Sequence, residues 1–313
     1  MRILITGSAG YIGSKSVELL KEHGYEIYGI DVRKPKNIES YTKFVEGSVS
    51  DKASMEDIFN EARPDVAINL AFIVDVTHDI KKEEDVALGG AHNFLKLCEK
   101  FKVPRVVYVS SVASYGAHDH NISLIDEGAP LRGVKGYSYS RLKELADKMA
   151  QKFMAEHTRC QTVILRPCLV VGPNTDNHFF DILKWPIVPQ IWDKKGVRDP
   201  EFQFIHEDDM VSCLVATAEK PVSGIFNVAA TGTQRYSELI KRAGKLKMPL
   251  PYFVVYPIAF LLWHLRVMSS PPAQLNFIRF PWIMDVSKMQ QELYTPTKTS
   301  EEAFGEFIEG QKR

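Results

Sequence analysis

Arg2-Ile3-Leu4-Ile5-Thr6-Gly7-Ser8-Ala9-Gly10-Tyr11-Ile12-Gly13 is the stretch of this 313-residue chain from which the fold is read. A short apolar run meets three glycines at three-residue spacing, and an amphipathic pattern begins at Ile12. This reads as a strand, a tight turn and a helix start. Glycine is required where backbone N–H groups and a helix N-terminus must approach an anion that a Cβ would strike. Asp31 ends the next apolar run, 18 positions after Gly13. That is close to the spacing of about 20 expected for a carboxylate on an adenosine ribose. The pair predicts a dinucleotide seat formed by Gly7, Gly10, Gly13, the amides of Tyr11 and Ile12, and Asp31. The negative charge of Asp31 favours NAD over NADP, although Arg33 keeps NADP open.

The pattern repeats along the chain. Candidate strands are Arg2–Thr6, Glu26–Asp31, Lys43–Glu46, 66–70, 105–110, 162–166 and 225–228. Helical patterns fall between them at 12–23, 52–62, 85–101 and 138–157. Strands alternating with helices predict βαβ units and a Rossmann-type, doubly wound parallel sheet of the α/β class. After Pro173 prolines and aromatics interrupt the alternation, and from Thr231 the chain reads as irregular. The expected division is a nucleotide-binding domain over 1–172 plus 202–229. A smaller, discontinuous substrate-binding domain takes 173–201 plus 230–313.

Composition fits a folded globular chain, with 45% apolar and 25% charged residues. Lys+Arg and Asp+Glu are 39 each, so no net positive field exists to collect nucleic acid. Cys98, Cys160, Cys168 and Cys213 show no paired spacing, which argues against a zinc site or disulfide scaffold and fits a reducing compartment. His118 and His120 read as loop residues rather than metal ligands. No secretory signal pattern is visible, and a cytoplasmic location is expected. The uncharged stretch 248–265 is marginal for a membrane span and reads better as a buried or lid-like helix, with peripheral membrane contact as the second reading.

The Gly-x-x-Gly-x-x-Gly spacing resembles the extended short-chain dehydrogenase/reductase superfamily, in its NAD-dependent epimerase/dehydratase branch. Four further runs carry the resemblance: Asn69-Leu70-Ala71, Val107 to Gly116 with Ser110-Ser111, Arg166-Pro167 to Pro173, and Phe204-Ile205-His206-Glu207-Asp208-Asp209. Gly224 to Ala229 carries it too. The resemblance implies cofactor contacts at Leu70 and Ala71, a serine at Ser111 that orients the reacting oxygen, and a homodimer built from 85–101 and 138–157.

Tyr139-Ser140-Arg141-Leu142-Lys143 stacks a phenol and an ammonium one helical turn apart. A nearby ammonium lowers a phenol's pKa from about 10, which suits acid/base work beside a nicotinamide. The same spacing occurs at Tyr11…Lys15 and, across Pro296, at Tyr294…Lys298. Only Tyr139…Lys143 opens a long helix after the serine strand, as in the resembled family. Catalytic residues are therefore expected at Ser111, Tyr139 and Lys143, with Tyr139 and Lys143 also touching cofactor.

Departures narrow the chemistry. Val112 and Ala113 stand where 4,6-dehydratases of this branch carry an Asp-Glu pair, so dehydration is not expected. Leu169 and Phe202 stand where sugar-nucleotide members commonly carry an Asn and an Arg on the substrate's diphosphate side, so either Arg198 or Lys184 substitutes or the substrate has no diphosphate. The leading expectation is an NAD-dependent, epimerase-type enzyme acting on a small-molecule sugar or nucleotide sugar. A dehydrogenase/reductase of a hydrophobic hydroxy or keto compound is the alternative. A cofactor-binding scaffold or redox-sensing regulator without chemistry is a third.

Overall fold

The computed structural model describes all residues except 75, 76, 122, 123, 176, 177, 269 and 313, and the side chain of residue 178. The first half runs β1 (Arg2–Thr6), α1 (Tyr11–Glu22), β2 (Glu26–Asp31), β3 (Lys43–Glu46), α2 (Lys52–Ala62), β4 (Val66–Asn69) and α3 (Ile80–Glu84). A π-helical turn, Asp85–Gly89, leads to α4 (Gly90–Lys100), β5 (Arg105–Val109), α5 (Ser138–Glu156), β6 (Gln161–Pro167) and β7 (Leu169–Val171). The second half holds β8 (Ile187–Asp193), β9 (Gly196–Val197), β10 (Glu201–Phe202), β11 (Phe204–His206), α6 (Glu207–Glu219) and β12 (Gly224–Val228). It ends with β13 (Gln234–Arg235), α7 (Tyr236–Arg242), β14 (Leu246–Pro251), α8 (Tyr252–His264), α9 (Ser287–Glu292) and α10 (Ser300–Gly310).

Seven strands form one parallel sheet in the order β12-β6-β5-β4-β1-β2-β3. Both faces are covered, which is why its strands are apolar without alternation. Ile3, Ile5, Ile68, Val107 and Leu165 face one core with Val17 and Leu20 of α1 and Leu214 of α6. Leu4, Ala67, Val106, Tyr108 and Ile164 face the other with Ile58 and Phe59 of α2, Phe94 of α4 and Phe153 of α5. The chain leaves β1 toward β2 and β3, then returns to β4 on the other side. That reversal opens a crevice at the carboxyl ends of β1 and β4, where ligands bind in such sheets.

Several expectations need correction. The tail after Thr231 is not irregular: α7, α8, α9 and α10 lie there, and α10 starts in a capping box between Thr299 and Glu302. Their short lengths and interspersed prolines obscured the period. The segment 248–265 is not a buried helix. It divides into edge strand β14 and α8, and in α8 only Ala259 is buried. Helix 85–101 begins as a π-helical turn, with α3 before it.

The apolar residues of segments 85–101 and 138–157, expected to serve both the sheet and a partner, divide into a buried set and a half-buried set. Phe94, Leu95, Leu142 and Phe153 are buried in the chain itself. Leu88, Leu145 and Met149 are half-buried and remain on α4 and α5 or the turn before them.

Candidate active site

The glycine turn is shaped by contacts rather than by sequence fashion. Gly7 has φ +70°, and a Cβ there would come within 2.7–2.9 Å of the Leu70-Ala71 backbone. The turn is thus pressed against the end of β4, where the Thr6 hydroxyl donates to Asn69 Oδ1 at 2.7 Å. A Cβ on Gly13 would lie 2.3 Å from Gly7 O, so α1 packs directly on the loop. Gly10 caps α1 with no side-chain acceptor, and the first turn carries no acid. The amides at Tyr11, Ile12 and Gly13 therefore present an uncompensated positive helix end.

Asp31 ends β2 beside this loop, nearly buried, accepting from Ala9 N at 3.1 Å and Arg33 N at 3.0 Å. Arg33 Nε lies 3.6 Å from the same carboxylate, and its guanidinium end reaches the neighbourhood of Gly10. An anion cradle, an acid at the ribose distance and a cleft over β4 suit a dinucleotide with a pyrophosphate and a free 2′-hydroxyl.

Across the cleft, β5 runs into Ser111, which caps the short 3₁₀ turn Val112–Ser114 by accepting from Ala113 N at 3.2 Å. Helix α5 is fastened to this turn by Ser140, whose hydroxyl donates to Ala113 O at 2.5 Å and accepts from Val134 N at 2.9 Å. Ser111 and Tyr139 are hydrogen-bond partners. Lys143, buried, donates to Val109 O at 3.1 Å. Its ammonium sits 3.9 Å from the centroid of Phe72 and 5.9 Å from that of Tyr139.

One expectation about this trio is corrected. The pKa of the Tyr139 phenol is raised rather than lowered from its ordinary value. Burial raises the Tyr139 pKa, while the Ser111 hydrogen bond only partly opposes it. Burial also lowers Lys143 to about 7, with Asp147 pulling upward. The ammonium lies over the Phe72 ring and donates to the Val109 carbonyl.

The two rival Tyr-x-x-x-Lys pairs have other occupations. Tyr11 hydrogen-bonds Thr175 at 3.0 Å, and Lys15 pairs with Glu207 at 2.9 Å. Tyr294 donates to Asp209 at 2.7 Å, while Lys298 pairs with Glu306 at 2.7 Å.

Two residues escaped the sequence reading. Phe72, directly after Asn69-Leu70-Ala71, roofs Lys143 and meets Tyr139 edge-on at 5.4 Å. A single aromatic in a loop has no period to reveal it. Asp147 holds Arg166 by two 2.8 Å hydrogen bonds in the core, and Arg166 also donates to Tyr115 Oη at 2.6 Å. The i, i+4 spacing of Lys143 and Asp147 was the available signal.

Neither cation offered as a diphosphate ligand is at liberty. Arg198 is bound by Asp193 at 2.8 Å and approached by Asp119 at 3.4 Å. Lys184 pairs with Asp181 at 2.7 Å. Phe202 is fully buried, stacked on Tyr236 and edge-on to Trp282. Among the described residues no cluster of His, Cys, Asp or Glu could hold a metal, and His118 and His120 stack on one another. The four cysteines are free.

Comparison with known proteins agrees with this geometry: residues 3–229 match the NAD dependent epimerase/dehydratase family. The chain belongs to that family. An uncharacterised protein of Mycobacterium tuberculosis is 27% identical over 229 residues, covering 72% of this chain and 60% of the relative. Short-chain dehydrogenase/reductase family 42E member 1 of Xenopus laevis is 25% identical over 301 residues, covering 86% and 75%. The UDP-glucose 4-epimerase of Thermus thermophilus, solved with NAD, superimposes with a TM-score of 0.75 at 20% identity over 100% and 99% of the chains. That last likeness is one of fold. The chain spans about 60% of the length of the mycobacterial relative. NAD is the dinucleotide to which the family and the cradle both correspond. No helix among the described residues is long and apolar enough to cross a membrane.

Proposed function

We propose that this protein catalyses reversible, NAD-dependent oxidation at a secondary alcohol carbon of a sugar or nucleotide sugar, with epimerisation as the net result. The observation that carries the reading is the convergence of Ser111, Tyr139 and Lys143 across the β1/β4 crevice from the glycine cradle.

The bound dinucleotide supplies the acceptor and donor of hydride. The chain supplies the rest. Ser111 holds the substrate oxygen and favours the phenolate of Tyr139, which takes the substrate's proton and later returns it. Lys143 fixes the cofactor-side wall through Val109 and is near half-protonated at neutral pH, so it can pass a proton onward. Gly7, Gly10, Gly13 and the amides of Tyr11 and Ile12 hold the pyrophosphate, Asp31 and Arg33 meet the adenosine ribose, and Leu70 and Ala71 line the opposite wall. Val112 and Ala113 carry no transferable proton, which favours epimerisation over dehydration. Residues 173–201 plus 230–313 supply the substrate side, and 1–172 plus 202–229 the cofactor side. Half-buried Leu88, Leu145 and Met149 support a homodimer through the α4/α5 side.

A second reading is favoured by specific observations: Leu169 and Phe202 offer no polar group, and Arg198 and Lys184 are already paired. These suit a substrate without a diphosphate, such as an apolar hydroxy or keto compound.

Incubation with NAD and UDP-glucose separates the readings. Epimeric product without net NADH supports the first. Steady NADH accumulation from an apolar secondary alcohol, with UDP-glucose unchanged, replaces it with the second.

A further inference from the structure

Helix α8 turns most of its circumference to water although it is almost wholly apolar. Phe253, Ile258 and Leu261 are 76%, 53% and 58% exposed. The face extends into Leu265 and Val267, and across the parallel pair β14–β8 through Leu246, Met248 and Trp192. Trp185, just before β8, is also exposed. An apolar surface this continuous marks a contact face. At 1.5 Å per residue the thirteen residues of α8 reach about 20 Å, short of the roughly 30 Å of a bilayer core. Pro257 stands inside the helix as well. Spanning is therefore unavailable, whereas lying in the headgroup boundary is not.

The stretch of chain that carries β14 and α8 is one-sided in charge. Between Glu238 and Asp285 the sequence has no Asp or Glu. Arg242 and Arg279 are engaged by Glu301 and Asp193, while Lys245 and Lys247 flank exposed Leu246 and Arg266 lies between exposed Leu265 and Val267. A second copy of the chain meeting this face would bring the same cations against them. Anionic headgroups would answer the charge, acyl chains the apolar residues, and the exposed tryptophans suit the boundary between them. The face also reaches the loop that follows β4. Trp263 stacks on His78 of that loop at 4.0 Å, and Phe72 of the same loop roofs Lys143.

We propose that α8, with the exposed residues of β14 and β8, docks the protein onto an anionic phospholipid bilayer. The apolar side chains enter the headgroup–acyl boundary, and the flanking lysines and Arg266 meet the lipid charge. Docking is independent of which alcohol the site oxidises.

The test is co-sedimentation of the full chain with vesicles of phosphatidylcholine alone or with phosphatidylserine. Binding to the anionic vesicles that weakens with salt is expected, with little on phosphatidylcholine. Phe253→Asp/Leu261→Asp should abolish sedimentation while melting temperature and NAD binding stay unchanged. Lys245→Gln/Lys247→Gln, which leaves the apolar face intact, should weaken partitioning about fivefold per removed charge. Failure to sediment with either vesicle overturns the proposal, as does equal binding to both. A dimer in light scattering that the Asp variant dissociates would also overturn it, in favour of pairing between copies.

Discussion

The ammonium of Lys143 lies 3.9 Å from the centroid of the Phe72 ring, and both belong to the wall of the candidate site. Phe72 contributes a favourable cation–π contact but also keeps water from the ammonium, and the second effect wins. Lys143 falls from its ordinary 10.5 to about 7, with burial the largest cause. Phe72→Ala should admit water and move that pKa back upward. The pH dependence of reductive methylation at Lys143 reads this directly; an unmoved midpoint would rule out Phe72 as the shield.

The same depression links folding to pH. Between about pH 7 and 10 the folded protein binds fewer protons at Lys143 than the unfolded chain does, so stability rises with pH through that window. Below pH 7 the cost of burying the charged amine is fully present. Urea unfolding of the ligand-free protein should show a rise on the order of 5 kcal/mol that Lys143→Met removes. Parallel wild-type and variant profiles would contradict the assignment.

Asp147 and Arg166 form a buried pair joining α5 to β6, with side-chain exposures of 0% and 1%. Removing one partner strands a charge in the core. Arg166→Met should cost about 3–5 kcal/mol in urea unfolding, and Asp147→Leu/Arg166→Met should recover much of it. A small loss in the single variant would mean the pair is not desolvated.

Asp31 is nearly buried beside the glycine loop, with Arg33 at 3.6 Å. Asp31→Ala should lift repulsion of a 2′-phosphate and leave Arg33 to bind it. NADP affinity should rise about tenfold relative to NAD, one charge–charge interaction of roughly 1.4 kcal/mol. Titration by protein fluorescence reads both constants, and unchanged preference would remove Asp31 from the ribose.

The sheet was legible because both of its faces are covered, so its central strands appear as apolar runs bounded by turn residues. The seat at Gly7, Gly10, Gly13 and Asp31 was legible because close approach leaves a compositional mark. Helix α8 was visible as an apolar stretch, but its exposure was not, since hydropathy cannot tell a core helix from one facing outward. The electrostatics of Tyr139 and Lys143 were read from spacing alone. That reading missed Phe72 and the Val109 carbonyl, which come from elsewhere in the chain and bury and bind the ammonium.

The most direct test of the account is Tyr139→Phe, which removes one oxygen from a half-buried ring and leaves the cradle intact. Turnover of the substrate identified with the wild-type protein should fall about 10²–10⁴-fold, while the NAD dissociation constant and unfolding midpoint stay unchanged. Wild-type turnover in this variant would contradict the assignment of Tyr139 as the group that moves the substrate's proton.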